Sequence, residues 1–320
     1  MSGPRHAPRR GEDVSVVIPT AGRRPTDLVR AVRSVQRQDT PPARIIIVQS
    51  GASRVTIDDG AENTDACPIV MLSTVVPNGN SARMAGIRSA TTPLIALLDD
   101  DDAWRPSHLA VALRGIDTVA AGGHPPEHFV HSAPVVVHAG GRAPFVAPRL
   151  PLGASETAAE YLFGHSALRF GRTLLHTSTL VFPRALALAV PWTEGLSRHQ
   201  DWDWLVRIGR RFGPALVQAS EPTCDVYWND AEGSTSRDDR IAPGVAWAEQ
   251  MLAEGFLTRQ QFSRILLHVH CDLVAAGGDL RTWRQLVSLA VVRGSAPPLS
   301  LLSALLRAGR RHLATTRRSA

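Results

Sequence analysis

The sequence contains no lysine: all 35 basic residues are arginine, beside 12 histidines. A phosphate-binding loop of the GxxxxGK[ST] kind is thereby excluded. The GxGxxG of dinucleotide-binding folds and the GxSxG of serine hydrolases are missing too. Cysteine is scarce. Cys67, Cys224 and Cys271 stand far apart without a CxxC, which argues against a disulfide framework and against structural zinc. No stretch reaches the roughly 18 uninterrupted apolar residues of a spanning helix, and the opening MSGPRHAPRRGED has no apolar signal core. A cytoplasmic location is the expectation, with peripheral contact at the inner face of the membrane as an addition to it. The missing lysine reads as a codon bias towards GC-rich triplets and carries no chemistry.

What is present suits a large α/β protein. The 320 residues are 44% hydrophobic, with a net charge of +6. That charge is unevenly placed. Residues 281–320 hold eight arginines and no acid, so the rest, with 27 arginines against 29 acids, sums to −2. A basic leader over 1–12 is expected to be disordered. Strands are predicted at Val14–Ile18, Ala43–Val48, Ile69–Val76 and Pro93–Leu98, with helices at Pro25–Gln38 and within Asn78–Ala90. Such alternation implies βαβ units and a largely parallel sheet. Sheet extension is expected over Phe129–Val146, a helix at Glu156–Phe163 and a strand at His176–Phe182. A helix at Gln200–Phe212 and short strands at Ala215–Gln218 and Thr223–Trp228 follow. Beyond Gly244 the pattern is helical: Val245–Ala253, Thr258–Ala276, Leu280–Val292 and Leu299–Leu313.

The most informative feature is the run Asp99-Asp100-Asp101-Asp102, directly behind the apolar PLIALL and ahead of Ala103-Trp104-Arg105-Pro106. Carboxylates at the carboxyl end of a buried strand lie where open α/β sheets bind ligands. Two like charges about 4 Å apart repel by about 1 kcal/mol in water and about 4 kcal/mol at an effective dielectric near 20. Four together at the rim of a core call for a neutralising partner, and a divalent cation with oxygen ligands is the obvious one. A solvated acidic turn is the bland alternative.

Several motifs in order resemble the family 2 glycosyltransferases of GT-A fold, over about residues 13–240. They are VSVVIPTAGR, SVQRQD, NGNSARMAGIRSATTPLIALLDDDDAWRPSHL, HTSTLVFPRAL…HQDWDWLVRIG and VYWNDAEGSTS. The resemblance implies a GT-A catalytic domain over 13–240, a Rossmann-like, mostly parallel α/β sheet flanked by helices. A C-terminal helical region over 241–320 would follow it. It implies inverting transfer of a sugar from a nucleotide-sugar donor to an acceptor hydroxyl on a glycan, a lipid-linked carrier or a small molecule, with Mn2+ or Mg2+ as cofactor.

Residue by residue, the resemblance brings Pro19, Thr20 and Ala21 to the nucleotide and Arg83 to the donor. Asp99 and Asp100 would face the ribose and the cation's water shell, and Asp101 would hold the metal. Asp102 is expected to be structural, capping the helix that begins near Pro106. Asp201, in Gln200-Asp201-Trp202-Asp203-Trp204, takes the position of the general base; its bland alternative is an ordinary helix-terminal acid. Asp203 is two residues on, roughly 200° round the helix, and off that face. Asp230 stands where the family often carries a metal-binding histidine. Gln49-Ser50-Gly51 replaces the family's aspartates after the second strand, leaving Gln49 to read a base edge as donor and acceptor.

Other readings stay open. A nucleotidyltransferase would share the nucleotide, the cation and the sheet, but Pro19–Arg24 lacks its Gly-rich loop. A non-catalytic nucleotide-sugar-binding protein is the second alternative. His124, His128, His131 and His138 are clustered without supporting Cys or carboxylate and read as loop and strand surface. In the tail, Leu301, Leu302, Leu305 and Leu306 form a stripe beside Arg307, Arg310 and Arg311. Such a helix can dock on its own core, pair with a second subunit as a homodimer, or lie on an anionic membrane. No nucleic-acid partner is expected, since no aromatic-basic platform accompanies the charge.

Overall fold

Strand β1 (Val14–Thr20) is buried at every position and lies between β4 (Leu94–Leu97) and β2 (Arg44–Ser50), parallel to both. A strand covered on both faces has to be apolar throughout, which VSVVI nearly is. This computed structural model describes residues 9–51, 67–76, 78–123, 125, 127–165, 172–213, 216–228, 241–271, 274 and 280–316. With β3 (Ile69–Thr74), β6 (Val130–Ser132), β9 (Val181–Pro183) and β10 (Leu216–Gln218), these strands form a seven-stranded sheet ordered β10-β6-β9-β4-β1-β2-β3. Its pairs are parallel except at β9, which runs antiparallel to β4 and β6. A smaller sheet orders β5 (Ala103–Trp104), β11 (Cys224–Trp228), β7 (Val135–Ala139) and β8 (Phe145–Ala147).

Helices α1 (Pro25–Gln36), α2 (Gly79–Ser89) and α3 (His108–Ala121) follow β1, β3 and β5. Asn78 caps α2 by accepting from Asn80 N–H and Ser81 N–H at 2.9 and 3.3 Å. Helix α2 packs tightly on the sheet because residue 86 is glycine: a Cβ there would lie 2.5 Å from Val17 Cγ1. Helices α4 (Ala158–Phe163), α5 (Arg184–Ala189) and α6 (Gln200–Phe212) complete the body. Trp192 and Trp204 stack at 5.0 Å within the core beside α6. The mostly parallel sheet flanked by helices is the expected architecture.

The C-terminal part is helical: α7 (Ile241–Ala253), α8 (Arg259–Ile265) running on as a π-helical turn Leu266–His270, α9 (Leu280–Val292) and α10 (Pro298–Thr316). Its Trp247, Met251, Phe262 and Leu266 join the same core as Trp204 and Phe163. Among the described residues, no helix is long and apolar enough to cross a membrane.

Four expectations need correction. His176–Phe182 is not a continuous strand: Thr177–Thr179 forms a 3-10 turn, and pairing begins at Val181. Asp102 does not cap α3, whose N-cap Ser107 makes no side-chain cap bond either; it is buried in the core instead. His131 is 1% exposed, in β6, and so is not at the surface. The stripe of α10 docks on its own core through Leu301 alone, while Leu302, Leu305 and Leu306 face outwards at 53–57% exposure. Of the leader expected over 1–12, residues 1–8 lie outside the described residues. Gly11–Asp13 forms a 3-10 turn, and Arg9 N–H reaches the Asp117 carboxylate at 3.4 Å.

Candidate active site

The chain leaves β4 at Leu97 and turns through the four aspartates, and each carboxylate finds a different partner. Asp99 Oδ1 accepts from Arg83 Nη2 at 2.7 Å. Asp100 Oδ2 accepts the Thr20 hydroxyl at 2.5 Å, which ties the loop to the end of β1. Asp101 pairs with Arg24, and its carbonyl accepts from Arg30 Nη2 at 2.6 Å. Asp102 accepts the Ser178 hydroxyl at 2.5 Å and the Tyr227 N–H at 3.3 Å. The turn alone separates their roles: Asp102 points into the protein at 2% exposure, while Asp99, Asp100 and Asp101 are half-buried at its rim.

Burial disfavours the charged form of these acids. It lifts Asp100 to about 6, opposing the Thr20 hydrogen bond, with Asp101 and Asp99 adding repulsion. It lifts Asp102 to about 7, against the attraction of His176, whose Nδ1 lies 3.7 Å from Asp102 Oδ2. Burial, more than repulsion between neighbours, thus makes these two acids reluctant to carry charge.

Arg83 joins this loop to α6. Its guanidinium donates to Asp99, to Gln200 Oε1 at 2.7 Å and to Asn80 Oδ1 at 3.1 Å, and lies 5.2 Å from the Trp192 ring. A planar guanidinium fork presents pre-oriented donors for such a bridge. Gln200 opens α6, so Arg83 fixes the start of that helix against the aspartate loop.

Asp201 is the next residue. It is half-buried on the first turn of α6, with Oδ1 accepting Trp202 N–H at 3.0 Å. Burial raises its pKa, against the pull of His176, the Trp202 N–H and Arg83, while Asp99 pushes it further up. These fields bring Asp201, Asp99, Arg83 and His176 into one electrostatic neighbourhood. Asp203 points elsewhere. It is 1% exposed and accepts from Thr193, Arg207 and the Trp247 indole at 2.5, 3.0 and 3.0 Å. Trp204 is core, donating to Val190 O at 2.8 Å, while half-buried Trp202 stacks on His199 at 4.5 Å.

The remaining expected residues divide by position. Pro19 and Thr20 end β1 buried, Ala21 is exposed beyond it, and Gln49 lies beside Thr20 on β2 at 6% exposure. Asp230 lies outside the described residues. Sequence reasoning missed His176, Ser178, Arg24 and Arg30. Ser178 Oγ accepts Asp99 N–H at 3.1 Å while its carbonyl accepts the Trp104 indole at 2.6 Å. The buried polar run HTST was the signal available for the first two. Nothing in the sequence distinguished Arg24 and Arg30 from the other arginines.

Among the described residues, no three His, Cys, Asp or Glu converge as a metal cage. The rim still suits a hard cation, which takes one or two carboxylates and completes its shell with phosphate oxygens and water.

Comparison with known proteins agrees with this architecture. Residues 15–139 match the model of Glycosyl transferase family 2. The amylovoran biosynthesis glycosyltransferase AmsB of Erwinia amylovora is 29% identical over 182 residues, which cover 57% of this chain and 58% of AmsB. The match thus spans little more than half the length of that relative. Among solved structures, S. aureus TarS 1–349 in complex with UDP-GlcNAc superposes with a TM-score of 0.58 at 14% identity, over 88% of this chain and 81% of that one. The mannosyltransferase PcManGT from Pyrobaculum calidifontis, in complex with GDP-Man and Mn2+, gives 0.56 at 15%, over 94% and 87%. These likenesses show a GT-A type fold, and within it residues 15–139 are similar to glycosyl transferase family 2.

Proposed function

We propose that the protein is an inverting glycosyltransferase that moves a sugar from a nucleoside-diphosphate donor to an acceptor hydroxyl. The observation that carries the reading is the Arg83 bridge, which holds Asp99 of the acidic loop and Gln200 beside Asp201 at 2.7 Å each. A donor-binding group and a base are thereby joined through one side chain. The complexes of TarS with UDP-GlcNAc and of PcManGT with GDP-Man support a nucleotide-sugar donor.

In this reading Pro19, Thr20, Ala21 and Gln49 bound the nucleotide end, at the carboxyl ends of β1 and β2. Gly22, with φ of 72°, takes the left-handed turn that favours glycine just beyond them. Asp99 and Asp100 face the ribose side, and Arg83 offers the donor cationic charge. Asp101 would hold Mn2+ or Mg2+, with Asp230 as a second oxygen ligand. A cation bound at Asp101 would displace Arg24 from that carboxylate. The ion, when bound, offsets charge on the departing diphosphate.

Asp201 acts on the acceptor. Its raised pKa makes it a stronger base than an exposed carboxylate. It takes the hydroxyl proton as the oxygen attacks the anomeric carbon from the face opposite the diphosphate. The C–O bond to the donor breaks as the new one forms, which inverts the centre. The acceptor is a hydroxyl compound: a glycan, a lipid-linked carrier or a small molecule.

Turnover of uridine, guanosine and thymidine diphosphate sugars, assayed with Mn2+, tests the reading. One nucleotide is expected to be consumed at least about tenfold faster than the others, as a pocket that hydrogen-bonds one base rejects its analogues. Absence of turnover with all of them, alongside tight donor binding, would favour the non-catalytic alternative.

A further inference from the structure

Helix α10 turns its small residues inwards. Ser300 and Ala304 are 1% and 2% exposed, and Leu301 is half-buried. Arg307 fixes this orientation by donating to Leu267 O at 3.2 Å and contacting His268 Nδ1 at 2.6 Å. The opposite face is left with Leu299, Leu302, Leu305 and Leu306, at 63%, 53%, 55% and 57% exposure. At 100° per residue these four fall within a sector of about 120°, the width of an apolar helix stripe. Val291 and Val292, at the end of α9, are 50% and 70% exposed. A soluble surface gains nothing from so many exposed aliphatic side chains on one helix.

Charge decides what covers them. Residues 281–320 carry eight arginines and no acid, and Arg281 and Arg284 are exposed on α9. A symmetric pairing through α10 would bring two such acid-free segments together, and like charges at close range repel. An anionic surface satisfies both features at once, with leucines in the interfacial layer and guanidinium groups on phosphate oxygens. We propose that α10 is a peripheral anchor that lays its outer leucine face on an anionic lipid bilayer. This does not depend on the catalytic reading, since it uses none of the residues of the acidic site.

Vesicle flotation of the full chain tests it, comparing phosphatidylcholine with phosphatidylcholine containing about one-third phosphatidylglycerol. The chain is expected to float with the anionic vesicles at least about tenfold more than with the neutral ones, and to be released as salt rises from about 0.1 to 0.5 M. The double variant Leu302→Asp, Leu306→Asp should stay at the bottom of the gradient. Both leucines are more than half exposed, so the fold does not depend on them. Equal distribution between the two vesicle types, or no flotation of the parent chain, overturns the proposal. A dimer in light scattering that the double variant dissolves also overturns it, in favour of a second copy of this chain.

Discussion

At the scale of single residues, the site is a set of acids told apart by what surrounds them. Four consecutive aspartates become one buried acid on Ser178 and three rim acids held by Arg83, Thr20 and Arg24. The run itself was visible in the sequence, and so was Asp201. Their division of labour was not, because it depends on Ser178 and His176, which arrive from a turn more than 70 residues further on. The pH profile should carry the mark of Asp201. Its pKa is raised in the folded protein, so it takes up a proton at higher pH than an exposed aspartate and is then no base. The acid limb of kcat/KM is therefore expected to fall with a midpoint above the usual carboxylate value of about 4. Initial rates across pH measure it, and a limb at or below that value would contradict the assignment.

At the scale of elements, the parallel strands were legible because each is a short apolar run closed by a polar turn. Helix α6 was legible at both ends, since Gln200 and Phe212 bound its amphipathic pattern and Gly213 stops it with φ of 77°. The segment HTSTLVF was misread for a physical reason. His176 Nδ1 accepts Ser178 N–H and its carbonyl accepts Thr179 N–H and hydroxyl, so the polar residues bond locally and curl the chain before β9 can start. Helix α2 offers a test of how tightly an element must sit to place its side chains. A Cβ at Gly86 would meet Val17 at 2.5 Å and Val48 at 3.1 Å, both in rigid strands. Gly86→Ala is expected to destabilise the protein by about 1–3 kcal/mol, the range for overpacking a filled core. Because α2 carries Arg83, donor affinity should fall with it. Urea unfolding measures the first effect and donor titration the second. A variant as stable as the parent would mean that α2 sits more loosely than described.

At the scale of the whole molecule, the sheet-and-helix body and the C-terminal helices share one core, so neither is a detachable appendage in the described residues. That core also encloses histidines held neutral. Burial lowers His131, His268 and His270 to about 4 from their ordinary 6.5. An unfolded chain binds protons on these groups below 6.5 while the folded one resists until about 4, so their contribution is intact above 6.5 and lost as pH falls through that window. Asp100 and Asp102, raised to about 6 and 7, tilt the other way over the same range, so a variant isolates the effect better than the parent's own curve. His131→Leu should lose less stability than the parent between pH 6.5 and 4, by up to about 3 kcal/mol. Thermal melts at both pH values measure the difference. An identical loss in both proteins would show that His131 is not held neutral.

In the proposed function, the acidic loop and the start of α6 form one site with Asp201 as its base. Asp201→Asn separates that role from a merely structural one, with turnover and donor affinity measured on the same preparation. The expected result is a kcat lower by about 10²–10⁴-fold, with donor affinity within a few-fold of the parent. Unchanged turnover with the donor still bound would contradict the claim.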